Sequence, residues 1–475
     1  MDKHLFLDLD EVAATHNVEQ RVCEATKHPA NPVLPVGRLD EWDAVRASVW
    51  SVRTVLYDPD DGLFKCWYTG ADQERLRWRR MGYAYSEDGV HWIKPKLGLF
   101  EFNGSKDNNI CLDMLGAVIR DPTEPDPARR FKMVTKDLVG SGPARAAYSP
   151  DGIHWTVGPV VDLPALSHGP DIVVLALDEQ ATDPDRRYIL IWQERVPAAK
   201  PGPATVRGKF IAYGPSVEKF TVSPDNPFLD PKDGLEQENH FLTLDRYGKG
   251  WISVYEFGWY VPNGLGVFGQ YAADLRLAVS KDGEHFSRIC LTDKVIPRGE
   301  RGAWDAGFLV IGDRIIVKDD TIYIYYSGQG EDWSLWPPGN YPKEFGGGKS
   351  GSVRLTQLGL ATLRLDGFTC MQTVDREISG SLETTPLEIG PDTRLNANVA
   401  EVIARRSWVD VDVLDAETGE VIPGFSREEC VPLAVDNVRA AARWQGAELG
   451  ACERRQVRLR FHIHGAARLH AYSLT

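Results

Sequence analysis

Short apolar runs, each broken by a polar turn, follow one another through residues 44–377 and read as strands. Five of them close on an aspartate: Val55-Leu56-Tyr57-Asp58, Val118-Ile119-Arg120-Asp121, Leu175-Ala176-Leu177-Asp178, Leu242-Thr243-Leu244-Asp245 and Ile316-Val317-Lys318-Asp319. After each comes a turn and an aromatic-rich strand such as Phe64-Lys65-Cys66-Trp67-Tyr68. A second landmark keeps the same phase. Tyr85-Ser86-Glu87-Asp88-Gly89-Val90-His91-Trp92 returns as Tyr148-Ser149-Pro150-Asp151-Gly152-Ile153-His154-Trp155 and as Val279-Ser280-Lys281-Asp282-Gly283-Glu284-His285-Phe286. Asp88 and Asp151 lie 63 positions apart, Asp151 and Asp282 131, so one copy is missing between them. Tyr213–Phe220 fills that place with both aromatic ends but no Asp-Gly, and Leu363–Phe368 is a fifth, weaker copy.

A unit of roughly 65 residues with four short strands is a propeller blade. The expected fold is therefore all-β: a five-bladed β-propeller followed by a C-terminal β-sandwich. Residues 1–43 read as an extended N-terminal arm with a short helix, 44–377 as the propeller, and 378–475 as the sandwich. The alternating runs Trp408–Val413 and Val457–His464 carry the last assignment. The Asp-Gly boxes themselves read as turns, because Gly supplies positive φ and Asp bonds its own backbone.

Over 475 residues, 43% are hydrophobic, an ordinary composition for a globular chain. The net charge of −14 argues against nucleic acid as a partner, since phosphate binding needs a basic footprint. Seven scattered cysteines with no C-x-x-C pair indicate neither a zinc cluster nor a disulfide framework. The acidic N-terminus lacks the apolar core of a signal peptide and no run is long enough to span a bilayer, so a cytoplasmic setting with no membrane partner is expected.

Counting back one strand length from the closing aspartates reaches the other end of each first strand. Blade 2 gives Asp113, blade 3 Asp171 and blade 4 Glu238. Blades 1 and 5 offer Trp42-Asp43-Ala44 and Trp304-Asp305-Ala306, where an indole can cover a sugar face while the carboxylate accepts hydroxyl hydrogen bonds. The alternative is a Trp packed between blades with Asp capping a turn. His168 and His240 flank the two preferred acids and have the chemistry to bond sugar hydroxyls. Loop aromatics (Trp78, Trp259, Tyr260, Trp333, Trp336) are a candidate platform, and Gln329–Ser352 a candidate lid. His462-x-His464 has no third ligand nearby and reads as packing, so no metal is expected.

The five blades, the Ser-x-Asp-Gly-x-x-Trp boxes and the terminal sandwich resemble the five-bladed propeller glycosidases of the invertase, levanase and arabinanase superfamily. Phe6-Leu7-Asp8, Asn31-Pro32-Val33 and Gly104-Ser105-Lys106-Asp107-Asn108-Asn109 look most like uncharacterised family-32-like bacterial proteins. The resemblance implies cleavage of a glycosidic bond, furanosidic by preference, in an oligosaccharide or small glycoside, by paired carboxylates at the channel mouth and with no cofactor. It implies Asp171 as nucleophile or base, Glu238 as general acid, and Asp113, Asp43 and Asp305 as orienting groups. Arg120-Asp121-Pro122 looks like the superfamily's Arg-Asp-Pro, but Asp121 is in phase with the hairpin aspartates at the far end of the strand. The series also departs from the superfamily in starting on the second blade. A phosphate-dependent phosphorylase and a non-catalytic sugar-binding propeller are the competing readings on the same fold.

Overall fold

In the computed structural model, residues 2–72, 80–137, 142–167, 171–197, 205–229, 236–261, 270–330, 355–403, 405–452 and 456–475 are described. Blade 1 is formed by Arg46–Asp58, Leu63–Ala71, Arg80–Ser86 and Ile110–Leu112. Blade 2 is formed by Met114–Arg120, Phe131–Asp137, Arg145–Ser149 and Thr156–Val160, and blade 3 by Asp171–Leu177, Tyr188–Pro197, Thr205–Ser216 and Lys219–Val222. Blade 4 contains Asp245–Tyr247, Gly250–Val261, Gln270–Ser280 and Ser287–Arg288, with residues 238–244 bridging along Gly250–Val261 at Glu238–Gly258 and Leu242–Tyr255. Blade 5 is formed by Phe308–Ile311 and Ile316–Lys318, both on Thr321–Gln329, then Thr356–Arg364. Its outermost strand is Thr26–Lys27 from the N-terminal arm, so the ring is closed by chain from both ends of the propeller.

The repeated boxes explain how the blades hold together. In each full box the Ser hydroxyl accepts from the Gly amide, the Asp carboxylate caps the next two amides, and Gly takes positive φ (+78° at Gly89). The Gly carbonyl then accepts from an aromatic of the preceding blade. Tyr325 of blade 5 donates to Gly89 of blade 1 (2.7 Å), and Trp67 of blade 1 to Gly152 of blade 2 (2.6 Å). Tyr213 of blade 3 reaches Gly283 of blade 4 at 3.5 Å. The two degenerate copies use carboxylates instead: Tyr148 donates to Glu218, and Tyr247 to Asp366 (2.8 Å). All five junctions are thereby covered, which is why the box survives even where its Asp-Gly is lost.

The five inner strands meet at Asp313 and Arg314. Thr54 donates to Asp313 (2.6 Å) and accepts from the Val118 amide (3.0 Å), while Arg314 donates to the carbonyls of Val118 (2.7 Å) and Leu175 (3.1 Å). Leu244 donates to the Asp313 carbonyl and Ile315 to the Asp245 carboxylate. These bonds tie blades 1 to 5 together on the axis, toward the end of the inner strands that carries the hairpin turns.

The C-terminal unit is two facing sheets. One has the order Val18–Val22, Thr369–Thr373, Arg468–Leu474, Leu395–Ala400, Asn437–Ala441; the other is built on Gln456–His464, flanked by Gly380–Thr384 and Trp408–Asp415. Val457, Leu459, Phe461 and Ile463 alternate inward against Leu395, Ala397, Val399, Leu469 and Tyr472 in one core. Two expectations change here. The arm contains no helix among its described residues: Asp2–Leu5, Val12–His16 and Val18–Val22 are strands paired into the sandwich sheets. Thr369–Thr373 already belongs to the sandwich, so the propeller ends before residue 369. An isolated arm strand has unpaired backbone groups, and both sheets offer edges that satisfy them.

Candidate active site at the mouth of the propeller

Inner strands beginning at Arg46, Met114, Asp171 and Phe308 point their first residues to one end of the ring, and Glu238 bridges into blade 4 at the same end. The five sequence-derived acids therefore share a rim, but their surroundings divide them.

Asp171 opens blade 3's inner strand and is exposed; Gln193, its register partner, donates to its Oδ2 (3.2 Å). Asp113 precedes blade 2's inner strand, 40% exposed at the side chain and paired with Arg80 (2.8 Å). Both side chains reach solvent at the rim. Glu238 does not: its side chain is 0% exposed, Oε1 accepts from the Arg207 amide (2.9 Å), and Oε2 meets Arg207 Nη1 (3.1 Å) and Arg195 Nη1 (3.5 Å). The expected open general acid is thus a clamped carboxylate.

His240 is buried and its Nε2 accepts from Arg207 (2.9 Å). Burial, with Arg207 and Lys209 nearby, holds the imidazole well below its ordinary range, so it is neutral and faces an arginine instead of a sugar hydroxyl. Glu236 is fully buried and held by Arg288 through two bonds (2.5 and 2.7 Å); burial pushes its carboxyl up against the opposing pull of Arg288.

The Trp-Asp pairs of blades 1 and 5 are two copies of one construction. Asp43 accepts from Tyr68 (2.8 Å) and Lys94 (2.6 Å); Asp305 accepts from Tyr326 (2.9 Å) and Lys27 (2.7 Å). The Trp42 and Trp304 rings tilt against Tyr68 and Tyr326 at 5.6 Å each. Each indole fills space left by two glycines, Gly70 and Gly82 in one case, Gly328 and Gly359 in the other. Both aspartates are almost fully buried, as is Trp42. Trp42 presents no face to a sugar, and the packed-Trp alternative describes both pairs: each is packed within its own blade, Asp43 on Tyr68 of blade 1 and Asp305 on Tyr326 of blade 5.

Asp121 sits in the hairpin at the far end of blade 2. Burial alone would push its carboxyl up, but Lys132 (2.6 Å), Tyr188 (2.5 Å) and Thr123 (2.9 Å) donate to it and hold it below the usual carboxylate range. It is a structural anchor between blades 2 and 3.

His168, Trp78, Trp333, Trp336 and most of the Gln329–Ser352 segment lie outside the described residues. Trp259 is described and packs under Arg298 (5.1 Å). Among the described residues no group of three or more His, Cys, Asp or Glu is placed to hold a metal ion, and no helix is long and apolar enough to cross a membrane. His462 and His464 each bond a carboxylate instead, Asp412 at 2.8 Å and Asp410 at 3.1 Å.

Two features escaped the sequence reading. Arg195 and Arg207 stand opposite one another at the mouth end of blade 3, signalled only by arginines one strand length beyond the hairpin. Asp313-Arg314 was signalled by a charged pair one glycine after the apolar run Phe308–Ile311.

No protein-family model and no curated protein sequence matches this chain. Solved structures do match it. A structure from the GH130 family of mannoside phosphorylases, which contains glycoside hydrolases that target beta-1,2 mannosidic linkages in Candida mannan, is 16% identical over 72% of this chain and 94% of that one, with a TM-score of 0.46. A fructofuranosidase from Schwanniomyces occidentalis complexed with fructosylnystose is 9% identical over 93% and 99%, with a TM-score of 0.42. An N-acetylgalactosamine deacetylase from F. plautii in complex with blood group B trisaccharide is 14% identical over 74% and 96%, with a TM-score of 0.43. The reactions differ among these structures, and a shared chain path does not carry a shared reaction.

Proposed function

We propose that the chain cleaves a glycosidic bond at the propeller mouth, with Asp171 as nucleophile or base. The observation that carries this reading is the placement of Asp171: an exposed carboxylate on the rim where all five blades bring their acids, steadied by Gln193. Glycoside cleavage needs one carboxylate at the anomeric carbon and a carboxylic acid at the leaving oxygen. Asp113, on the adjacent blade and paired with Arg80, in this reading orients the substrate beside Asp171. Glu238 acts through Arg195 and Arg207, whose positions it sets, while Asp43 and Asp305 hold the rim ends of blades 1 and 5 in place.

A phosphorylase is the second reading, favoured by the guanidinium of Arg195, half exposed beside the same rim. A screen of aryl pentofuranosides, fructosides and hexosides, with and without inorganic phosphate, tests both. Release of the aryl alcohol without phosphate supports hydrolysis, and phosphate-dependent release supports the phosphorylase. If neither occurs, or if Asp171→Asn turns over as fast as the parent, the reading fails.

A further inference from the structure

The middle strand of blade 3 outruns its inner neighbour. Pairing with the inner strand ends at Asp171–Gln193, whereas pairing with the third strand continues through Arg195–Arg207 to Pro197–Thr205. Two arginines therefore stand directly opposite each other on a ladder that rises past the catalytic rim. Like charges in that position repel, and a fold retains them only with compensation. Glu238, enclosed between them, supplies a single negative charge for two guanidinium groups.

Among the described residues, the other charged groups near this rim have partners of their own. His240, accepting from Arg207, is neutral. Glu236 is committed to Arg288, Asp113 to Arg80, Asp43 to Lys94 and Asp305 to Lys27. Arg207 spends its contacts on Glu238 and His240 and is 20% exposed at the side chain. Arg195 is 52% exposed at the side chain and, among the described residues, meets Glu238 and the Thr205 carbonyl, both at 3.5 Å. Of the two guanidinium groups, that of Arg195 is therefore the one turned to solvent, with the Asp171 carboxylate as its diagonal neighbour.

Resting on the glycosidase reading, we infer that Arg195 marks a subsite for a negatively charged sugar, so that the substrate is an acidic glycan carrying a carboxylate next to the scissile bond. Position favours a charge borne by the glycan. Arg195 is the diagonal neighbour of Asp171 across the ladder, about 7–8 Å away along the backbone, a span that one sugar ring bridges. A phosphate ion that attacks the anomeric carbon has to sit much closer to the reacting centre. Arginine also suits a carboxylate, because its planar fork matches two oxygens at once.

The test uses the full chain and pairs of uronic-acid oligosaccharides with their carboxyl-reduced counterparts, which differ only in the charge. Calorimetric titration at pH 7 and low salt is expected to show at least tenfold tighter binding of a carboxylated member. That preference should fall to under twofold in Arg195→Gln and shrink in 0.5 M salt, with the melting temperature of the variant confirming that it is folded. Equal binding of both members of every pair, or a preference that persists in Arg195→Gln, overturns the inference. Cleavage of neutral aryl glycosides together with equal binding would leave the glycosidase reading standing without the acidic subsite. A requirement for inorganic phosphate in turnover would assign the charge to a co-substrate and also overturn it.

Discussion

Tyr325 donates its hydroxyl to the carbonyl of Gly89 at 2.7 Å, joining the second strand of blade 5 to the turn that ends the third strand of blade 1. Blades that share little backbone pairing are held by such contacts, one per junction. Their removal should therefore be felt by the whole ring.

Tyr325→Phe leaves the buried Gly89 carbonyl without its donor and should cost about 1–3 kcal/mol. Gly89→Ala should cost about 2–4 kcal/mol, because a β-carbon there sits 2.6 Å from the Tyr325 hydroxyl in addition to the φ of +78°. Gly104→Ala, with a similar φ and nothing within 4 Å, should cost only about 1–2 kcal/mol. Denaturant unfolding of the three variants checks the order, and an equal loss in both glycine variants would contradict it.

Asp245 gives stability an alkaline dependence. Burial pushes its carboxyl up to about 7, despite the Ile315 amide and Thr243. The folded value lies above the unfolded one, so the protonated form is favoured by folding. Stability is full below about pH 4 for this group and is lost as pH rises through 7. The gap corresponds to on the order of 4 kcal/mol at most. Asp245→Asn should remove this decline, so that its melting temperature exceeds the parent's at pH 8 by more than at pH 5.

Asp171 and Glu238 should respond differently to neutralisation. Asp171→Asn removes an exposed charge, and turnover should fall by at least about a hundredfold with little change in melting temperature. Glu238→Gln leaves two opposed arginines without their buried counter-charge, and should destabilise by roughly 3–5 kcal/mol. Intact stability in Glu238→Gln would mean that the arginines are compensated elsewhere.

Lys27→Met and Lys94→Met each strand a buried aspartate with only a tyrosine donor. Each should lose stability near the lower end of roughly 3–5 kcal/mol, since the lysines are about one-quarter exposed. Asp40→Asn, at the exposed Arg38 pair, should leave stability unchanged within error. Chemical denaturation of the three variants measures the contrast.

The blade repeat was legible in the sequence because a turn is a local object. Ser86, Asp88 and Gly89 satisfy one another within four residues, so their order along the chain already contains the geometry. The alternation of Val457, Leu459, Phe461 and Ile463 is equally local, since a strand with one buried face must alternate. Counting one strand length from each hairpin singled out Asp113, Asp171 and Glu238 as candidates, but no turn pattern gives their surroundings.

Exposure, pairing and partnership were decided only by the tertiary structure. Asp171 and Glu238 look alike in sequence, yet one is open and the other enclosed, because Arg195 and Arg207 arrive from strands whose register no local pattern sets. Trp42 and Trp304 looked like sugar platforms until glycines from other strands made room for their rings. The arm read as extended chain with a short helix because its partners, up to several hundred residues away, are sheet edges that exist only once the ring and the sandwich have formed. A charge or a ring takes its role from what surrounds it, and in this chain those surroundings come from distant strands.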